Sequence, residues 1–420
     1  MLKRLPNKES YSQIVYLLTY VVLICIAGLV FCSIQQFYNN LGPPAFGDLQ
    51  RFWVTGGLLS QGENPYDLKL RSQYSVEHGA GEIPSYLPAY YPTFAMTGFL
   101  PFALFSYQQT RFIYITLTTL TIILGLVLPV LSRLRAALRQ GKQVGYELLV
   151  CAAFWSFFPA LLFLWNGAMT FFPFIGLALF LYLKKSTQNT WHTLTQGAVL
   201  TMTLIKPSVC YLALVFIVVR WFRNRCYVPL ATLAFGFVSL WAVSWALMPV
   251  SFASVMPPQP SALDWETPTL VAMLQQFMKF HPYTRLIPTI IALIVVVIFG
   301  WNSESDSNAR MQLICVWIPA SLVFVPYAWT YDFIMLALPL CYLLSNDQNH
   351  PSKTQDVFYP LVILVANLGM HILPISMHRH WWYPVIFLFL GIKFFWSQQS
   401  RLPINPYSPM EPKVVRSASE

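Results

Sequence analysis

Charged residues are what this sequence has least of. Asp, Glu, Lys and Arg make up 10% of the 420 residues, whereas a soluble domain carries about 25%. With 56% hydrophobic residues and a mean hydropathy of +0.54, a water-soluble fold is excluded. Long polar stretches are also scarce. Apolar runs recur from residue 14 to residue 396, leaving room only for two sizeable loops and a short tail. The seven cysteines lie in or beside apolar segments at neither zinc-site nor redox spacing, so they supply no disulfide or metal framework. A Walker-type Gly-rich loop is missing, which removes the commonest reason to expect a nucleotide, and there is no internal repeat. The net charge of +10 does not point to nucleic acid, because the basic residues stand in small groups at the ends of apolar runs, where they anchor spans against anionic headgroups.

What is present is a series of apolar runs of near-spanning length. Candidate helices fall at about 14–34, 110–131, 145–164, 168–183, 193–205, 208–220, 226–247, 285–300, 311–326, 333–344, 357–375 and 381–396, a bundle of about twelve. The first follows Lys3, Arg4 and Lys8 but has no small-residue cleavage site, so it reads as a retained helix rather than a signal peptide. The runs on either side of Lys206-Pro207 read as half-helices meeting within the membrane. A further apolar stretch, 89–105, decides the orientation. If it does not cross, the clusters Arg133–Lys142, Lys184-Lys185 and Arg220–Arg225 all face the cytoplasm, as the positive-inside rule requires. It is therefore placed as an interfacial or re-entrant helix on the outer side, with both termini cytoplasmic. The expected organisation is one all-α polytopic membrane domain over 1–400, with outer loops at 35–109 and 248–284 and a cytoplasmic tail at 401–420.

The first outer loop opens with Phe46-Gly47-Asp48 and an apolar helix over about 47–60, expected to lie on the membrane surface with Asp48 at its start. Gly62-Glu63-Asn64-Pro65-Tyr66 follows as a helix stop and turn, and Tyr91-Pro92 opens the interfacial helix. Further along stand Lys206-Pro207 and Pro326-Tyr327-Ala328-Trp329. In this order the motifs resemble those of the GT-C superfamily of integral-membrane glycosyltransferases, specifically glycosyltransferase family 87, the polyprenol-phosphate-mannose-dependent mannosyltransferases. Two places depart from the family pattern. Trp165-Asn166-Gly167-Ala168-Met169 stands where relatives often have Gly-Gln-x-Asn, and Thr330-Tyr331-Asp332 stands where they often have His.

The resemblance implies a GT-C-like bundle and an inverting hexosyltransferase at the extracytoplasmic face of a plasma membrane, with a bacterial one expected. Such an enzyme moves mannose or a related sugar from a polyprenyl-phosphate carrier to a lipid or glycan acceptor, without metal or other cofactor. The chemistry needs a base for the acceptor hydroxyl and cationic groups for the departing phosphate. Asp48 is the implied catalytic base; the plain alternative is a helix cap. Lys206, a charge among apolar half-helices, is a candidate phosphate ligand, or else snorkels to the interface or pairs with a structural carboxylate such as Asp332. Arg285 and Arg379 are alternative phosphate ligands, Asp332 is a sugar contact or an N-cap, and Trp329, Tyr331 and Tyr66 are candidates to stack on a sugar ring. Asp264 and Glu266 are further sugar contacts or solvated loop residues, and His78 and His281 are possible partners for Asp48. His378-Arg379-His380 has no third ligand nearby and reads as a polar turn at headgroup level, not a metal site. The same broken helix and intramembrane charges also suit a transporter or lipid-linked-sugar flippase, or a non-catalytic membrane scaffold.

Overall fold

The computed structural model describes residues 47–83, 93–122, 144–183, 190–247, 267–303, 306–345, 355–372 and 380–399. The expected helix at 14–34, most of the loop 248–284, the tail, Tyr91-Pro92, Asp264, Glu266, His378 and Arg379 lie outside them. Among the described residues every regular element is a helix. Helix α1 (Gly47–Ser60) and α2 (Leu68–Glu77) form a hairpin in the first loop, followed by a broken helical segment α3 (93–103). Then come α4 (Tyr107–Ile122), α5 (Val144–Trp155), α6 (Phe158–Asn166), α7 (Phe171–Leu183), α8 (Thr190–Thr201), α9 (Tyr211–Arg223) and α10 (Tyr227–Leu247). After α11 (Leu270–Met278) and α12 (Leu286–Asn302) comes α13 (306–324), which contains a π-turn at Leu313–Trp317. A 3-10 segment, Thr330–Leu336, leads into α14 (Ala337–Ser345), and α15 (Gln355–Ile372) and α16 (Trp382–Gln399) complete the series.

Two helices are long and apolar enough to span a membrane, Tyr227–Leu247 and Tyr283–Asn302. Both turn most of their apolar side chains outward: Phe235, Val238 and Trp245 on the first and Ile287, Ile290, Ile294 and Ile298 on the second are all exposed. Water would not tolerate such continuous apolar faces, whereas lipid tails would. The other apolar helices are shorter, and they extend their reach by joining across breaks. Where the sequence reads one run at 145–164, the chain breaks at Ser156-Phe157, because Pro159 sits in the first turn of a new helix, α6. Where two half-helices are expected, α8 tightens into a 3-10 turn at Met202–Ile205, Lys206 leaves helical geometry (φ −139, ψ 72), and α9 begins at Tyr211. The first amides of α9, left without intrahelical acceptors, find Ser321 Oγ, which accepts from the Leu212 N–H at 3.1 Å. Close packing of α8 on α10 needs two glycines, since a Cβ at Gly197 or Gly236 would run into Pro229 and Thr232 or into Thr201.

Helix α1 forms over the expected residues, with its apolar side chains covered by protein. The sequence reading lays it on the membrane surface, but Leu49, Phe52, Trp53, Val54, Leu58 and Leu59 are all buried. Its apolar residues run round the whole circumference, and the loop folds over them on several sides. Trp53, Val54 and Leu58 pack with Tyr74 of α2 and Tyr107, Phe52 packs with Phe99, Met169 and Ile205, and Leu59 packs with Met96. The α3 segment is one of these covers: Phe99 stacks on Phe52 with ring centroids 4.6 Å apart. The indole N–H of Trp53 donates to the Phe105 carbonyl at 2.9 Å, closing the unit.

Candidate active site

Asp48 stands in the first turn of α1, where the N-terminal end of the helix dipole favours a negative charge. It is 8% exposed, and its carboxylate accepts from Nη2 of Arg51, one turn further along. The carboxylate thus stands at the helix start, and its partner there is the Arg51 guanidinium.

Beside it lies the end of α6. Gly167 adopts a left-handed conformation (φ 67, ψ 42) that terminates α6 after Asn166. A Cβ at Gly167 would come within 2.6 Å of Leu49 Cβ, so only glycine lets the turn close against the residue next to Asp48. From the other side the Tyr114 hydroxyl donates to the Ala168 carbonyl at 2.8 Å, and the Asp48 carboxylate lies near enough to act on that hydroxyl electrostatically. The turn continues through Met169, which packs with Phe52 one helical turn after Asp48, to Thr170.

Thr170 reaches the second polar centre. Its hydroxyl donates to Oδ1 of Asp332, and the same carboxylate oxygen lies 2.6 Å from Lys206 Nζ. Lys206 also donates to Thr170 Oγ1 at 3.4 Å and lies 5.2 Å from the centre of the Tyr331 ring. The other carboxylate oxygen accepts from the Trp329 backbone N–H at 2.9 Å, so Asp332 caps its own 3-10 turn. Of the alternatives open for Lys206, the structure forms the pairing with Asp332. Both are buried, at 2% and 0% side-chain exposure, and satisfy each other's charge. The rim is more open: Pro207 is exposed, and Ser208 and Tyr327 are half-buried. Trp329 is half-buried and stacks on Tyr331 with centroids 6.5 Å apart.

The remaining candidates divide. Tyr66 packs with Leu59, Met96 and Leu100, and burial raises its phenol above the ordinary range. Arg285 is buried, with Nε and Nη2 both donating to Gln275 Oε1, at 3.2 and 2.8 Å. Arg379 lies outside the described residues. His78 stacks on Tyr74 and His281 caps the Pro282–Arg285 turn, and neither contact involves Asp48. Among the described residues no group of three His, Cys, Asp or Glu is placed to hold a metal ion.

Two residues of this region escaped the sequence reading. Thr170 follows directly on a segment that was singled out, Trp165–Met169, but its partner Asp332 is 162 residues away. Arg71, counted in the sequence only as an outer-loop cation, is buried on α2, and its enclosure together with the like charge of Arg51 lowers its guanidinium to about 10. Its spacing from Ser75, four residues on, places it on the face of α2 turned to α1, a signal readable once the hairpin is known. The chain matches no family model, no curated protein and no solved structure.

Proposed function

We propose that the protein is an integral-membrane glycosyltransferase that moves a sugar, mannose or a close relative, from a polyprenyl-phosphate carrier to a hydroxyl of a lipid or glycan acceptor outside the cytoplasm. The observation that carries this reading is convergence. Asp48, the Gly167–Thr170 turn, Lys206-Pro207 and the Trp329–Asp332 segment are far apart in sequence. Yet they are joined by contacts from Leu49 through Gly167 and Thr170 to Asp332 and Lys206. Asp48, Lys206-Pro207 and Trp329 belong to the motifs that carry the resemblance to the GT-C enzymes, while Gly167–Thr170 and Thr330–Asp332 overlap the two places where the chain departs from it. Packing alone gives no reason for a carboxylate, a buried ion pair and a half-buried tryptophan to gather there.

In this reading Asp48 takes the proton of the acceptor hydroxyl as its oxygen bonds to the anomeric carbon of the donor sugar. The bond from that carbon to the phosphate oxygen breaks, and polyprenyl phosphate leaves with the electron pair, inverting the configuration. The Lys206–Asp332 pair, fixed by Thr170, holds the broken helix and the Trp329–Tyr331 wall in place for the sugar. The outward apolar faces of α10 and α12 set the protein in the bilayer where a lipid-borne donor arrives laterally. A transporter or flippase would use the same broken helix, but passage gives no role to a carboxylate at the start of α1.

The experiment is incubation of the purified protein with a panel of polyprenyl-phosphate sugars and lipid acceptors, reading release of free polyprenyl phosphate. Donor-dependent release that disappears in Asp48→Asn supports the enzyme. Movement of lipid-linked sugar between leaflets, unchanged in Asp48→Asn and without release, supports the transporter.

A further inference from the structure

Two buried polar side chains beside the Trp329–Asp332 segment take no part in the ion pair. Thr330 is 2% exposed and His380 1%, and among the described residues neither the Thr330 hydroxyl nor either ring nitrogen of His380 has a hydrogen-bond partner. The sequence reads His380 as part of a polar turn at headgroup level, but its ring is enclosed. A buried polar group left unbonded costs free energy, so two of them together call for a use.

Ring contacts put the two groups in one place. Phe333 stacks on Tyr383 with centroids 5.9 Å apart, and further along the same elements Tyr342 meets Phe394 at 6.2 Å. Residue numbers rise together on both sides, so the stretch 330–345 and α16 run parallel. Thr330 precedes Phe333 by three residues in a 3-10 turn, where positions i and i+3 eclipse each other, and His380 precedes Tyr383 by three, about one helical turn. Both therefore lie one turn beyond the stacked rings, at the same end of the same interface. Asp332 meets Lys206 and Thr170 from another side of the segment, so this interface is separate from the ion pair.

The chemistry of the two groups limits what they receive. A hydroxyl and an uncharged imidazole each donate and accept, which matches a ligand hydroxyl, itself both donor and acceptor. Among the described residues no set of three metal-binding side chains includes His380. Half-buried tryptophans adjoin both groups in sequence, Trp329 before Thr330 and Trp381 and Trp382 after His380, and each offers a broad apolar face with one N–H at its edge. Hydroxyls along an edge and C–H groups across a face are the two surfaces of a sugar. We infer that Thr330 and His380 form a hydroxyl-receiving site for a neutral sugar ring, on the side of the Trp329–Asp332 segment turned toward α16. Assignment of that ring to the donor or the acceptor rests on the proposed function; the site itself rests on the two unbonded groups.

The test is equilibrium binding to the purified full-length protein in detergent, with methyl glycosides of mannose, glucose and arabinose as probes, and thermal midpoints measured without them. Wild type is compared with Thr330→Val, His380→Phe, the double variant and Thr330→Ser. The first two remove polar atoms and keep approximate shape, so the ligand-free midpoints should hold, because no bond within the protein is broken. Affinity for at least one glycoside is expected to fall about tenfold in Thr330→Val and in His380→Phe, by less than the product of the two in the double variant, and little in Thr330→Ser. If His380→Phe does not fold, Thr330→Val against Thr330→Ser still decides. Displacement of the glycoside by polyprenyl-phosphate mannose but not by polyprenyl phosphate assigns the site to the donor sugar, and binding undisturbed by saturating donor assigns it to the acceptor. Glycoside binding that depends on both residues, in a protein that releases no polyprenyl phosphate, upholds the site and removes the transferase. Binding of every glycoside unchanged in the variants, or none by wild type, overturns the inference. Lowered midpoints with binding unchanged also overturn it, and would mean that the two groups hold a buried water only.

Discussion

The ammonium of Lys206 lies 2.6 Å from Asp332 Oδ1, so two ionisable groups 126 residues apart in sequence form one neutral unit in the interior. Removing either partner leaves the other as an unpaired buried charge. Lys206→Met and Asp332→Leu are each expected to destabilise the protein by about 3–5 kcal/mol, whereas the double variant recovers much of that loss. Thermal midpoints of the three variants in one detergent check this. Additive losses in the double variant would mean that the two groups are not coupled.

Gly167→Ala tests the turn that ties the two polar centres. The positive φ and the 2.6 Å approach to Leu49 Cβ both resist a side chain, so a loss of about 1–3 kcal/mol is expected. Because Leu49 must move to make room and Asp48 adjoins it, transfer activity should fall further than stability explains. Activity measured well below the variant's melting temperature separates the two effects, and full activity there would show that the turn does not position Asp48.

Much of this arrangement was legible in the sequence, and the parts that were not share a cause. The break at Lys206-Pro207 and the short helical segment at 93–103 follow from proline, polar residues and charge balance, which act locally. The burial of α1 was missed because an apolar circumference reads alike against lipid and against protein, and only the fold of the surrounding loop distinguishes them. The break before Pro159 was hidden by apolar residues on both sides. Thr170 and Arg71 carry no local signal of their importance, since each acquires its role from a residue on another helix.

The orientation derived from the basic clusters puts the loop around Glu63 outside and the turn at Asn224 in the cytoplasm. In a background lacking the native cysteines, Glu63→Cys in intact cells should react with a membrane-impermeant thiol reagent, and Asn224→Cys only after the cells are opened. Reaction of both cysteines in intact cells would mean that the 89–105 stretch crosses the bilayer. Both positions are exposed, so access to the reagent depends on sidedness alone.

His380 stands just before α16, buried, with neither ring nitrogen hydrogen-bonded among the described residues, and burial lowers its pKa from 6.5 to about 4. The unfolded chain binds this proton as pH falls through 6.5, while the folded chain resists until about 4. Stability present above pH 6.5 is therefore lost progressively between those values, by roughly 3 kcal/mol at the lower end. Comparing thermal midpoints of wild type and His380→Gln at pH 7.5 and 4.5 checks the sign, since the variant should lose less on acidification. An equal loss in both proteins would place the acid sensitivity elsewhere.

The central claim is that a carboxylate at the start of α1 performs sugar transfer from a lipid phosphate. The most direct measurement is release of free polyprenyl phosphate from a polyprenyl-phosphate sugar by purified wild-type protein and by Asp48→Asn, at matched stability and saturating donor. The account predicts acceptor-dependent release by wild type and a loss of about 10²–10⁴-fold in the variant, the range expected for removing a general base. Equal release by both proteins, or none by the wild type with any donor and acceptor of the panel, would contradict it.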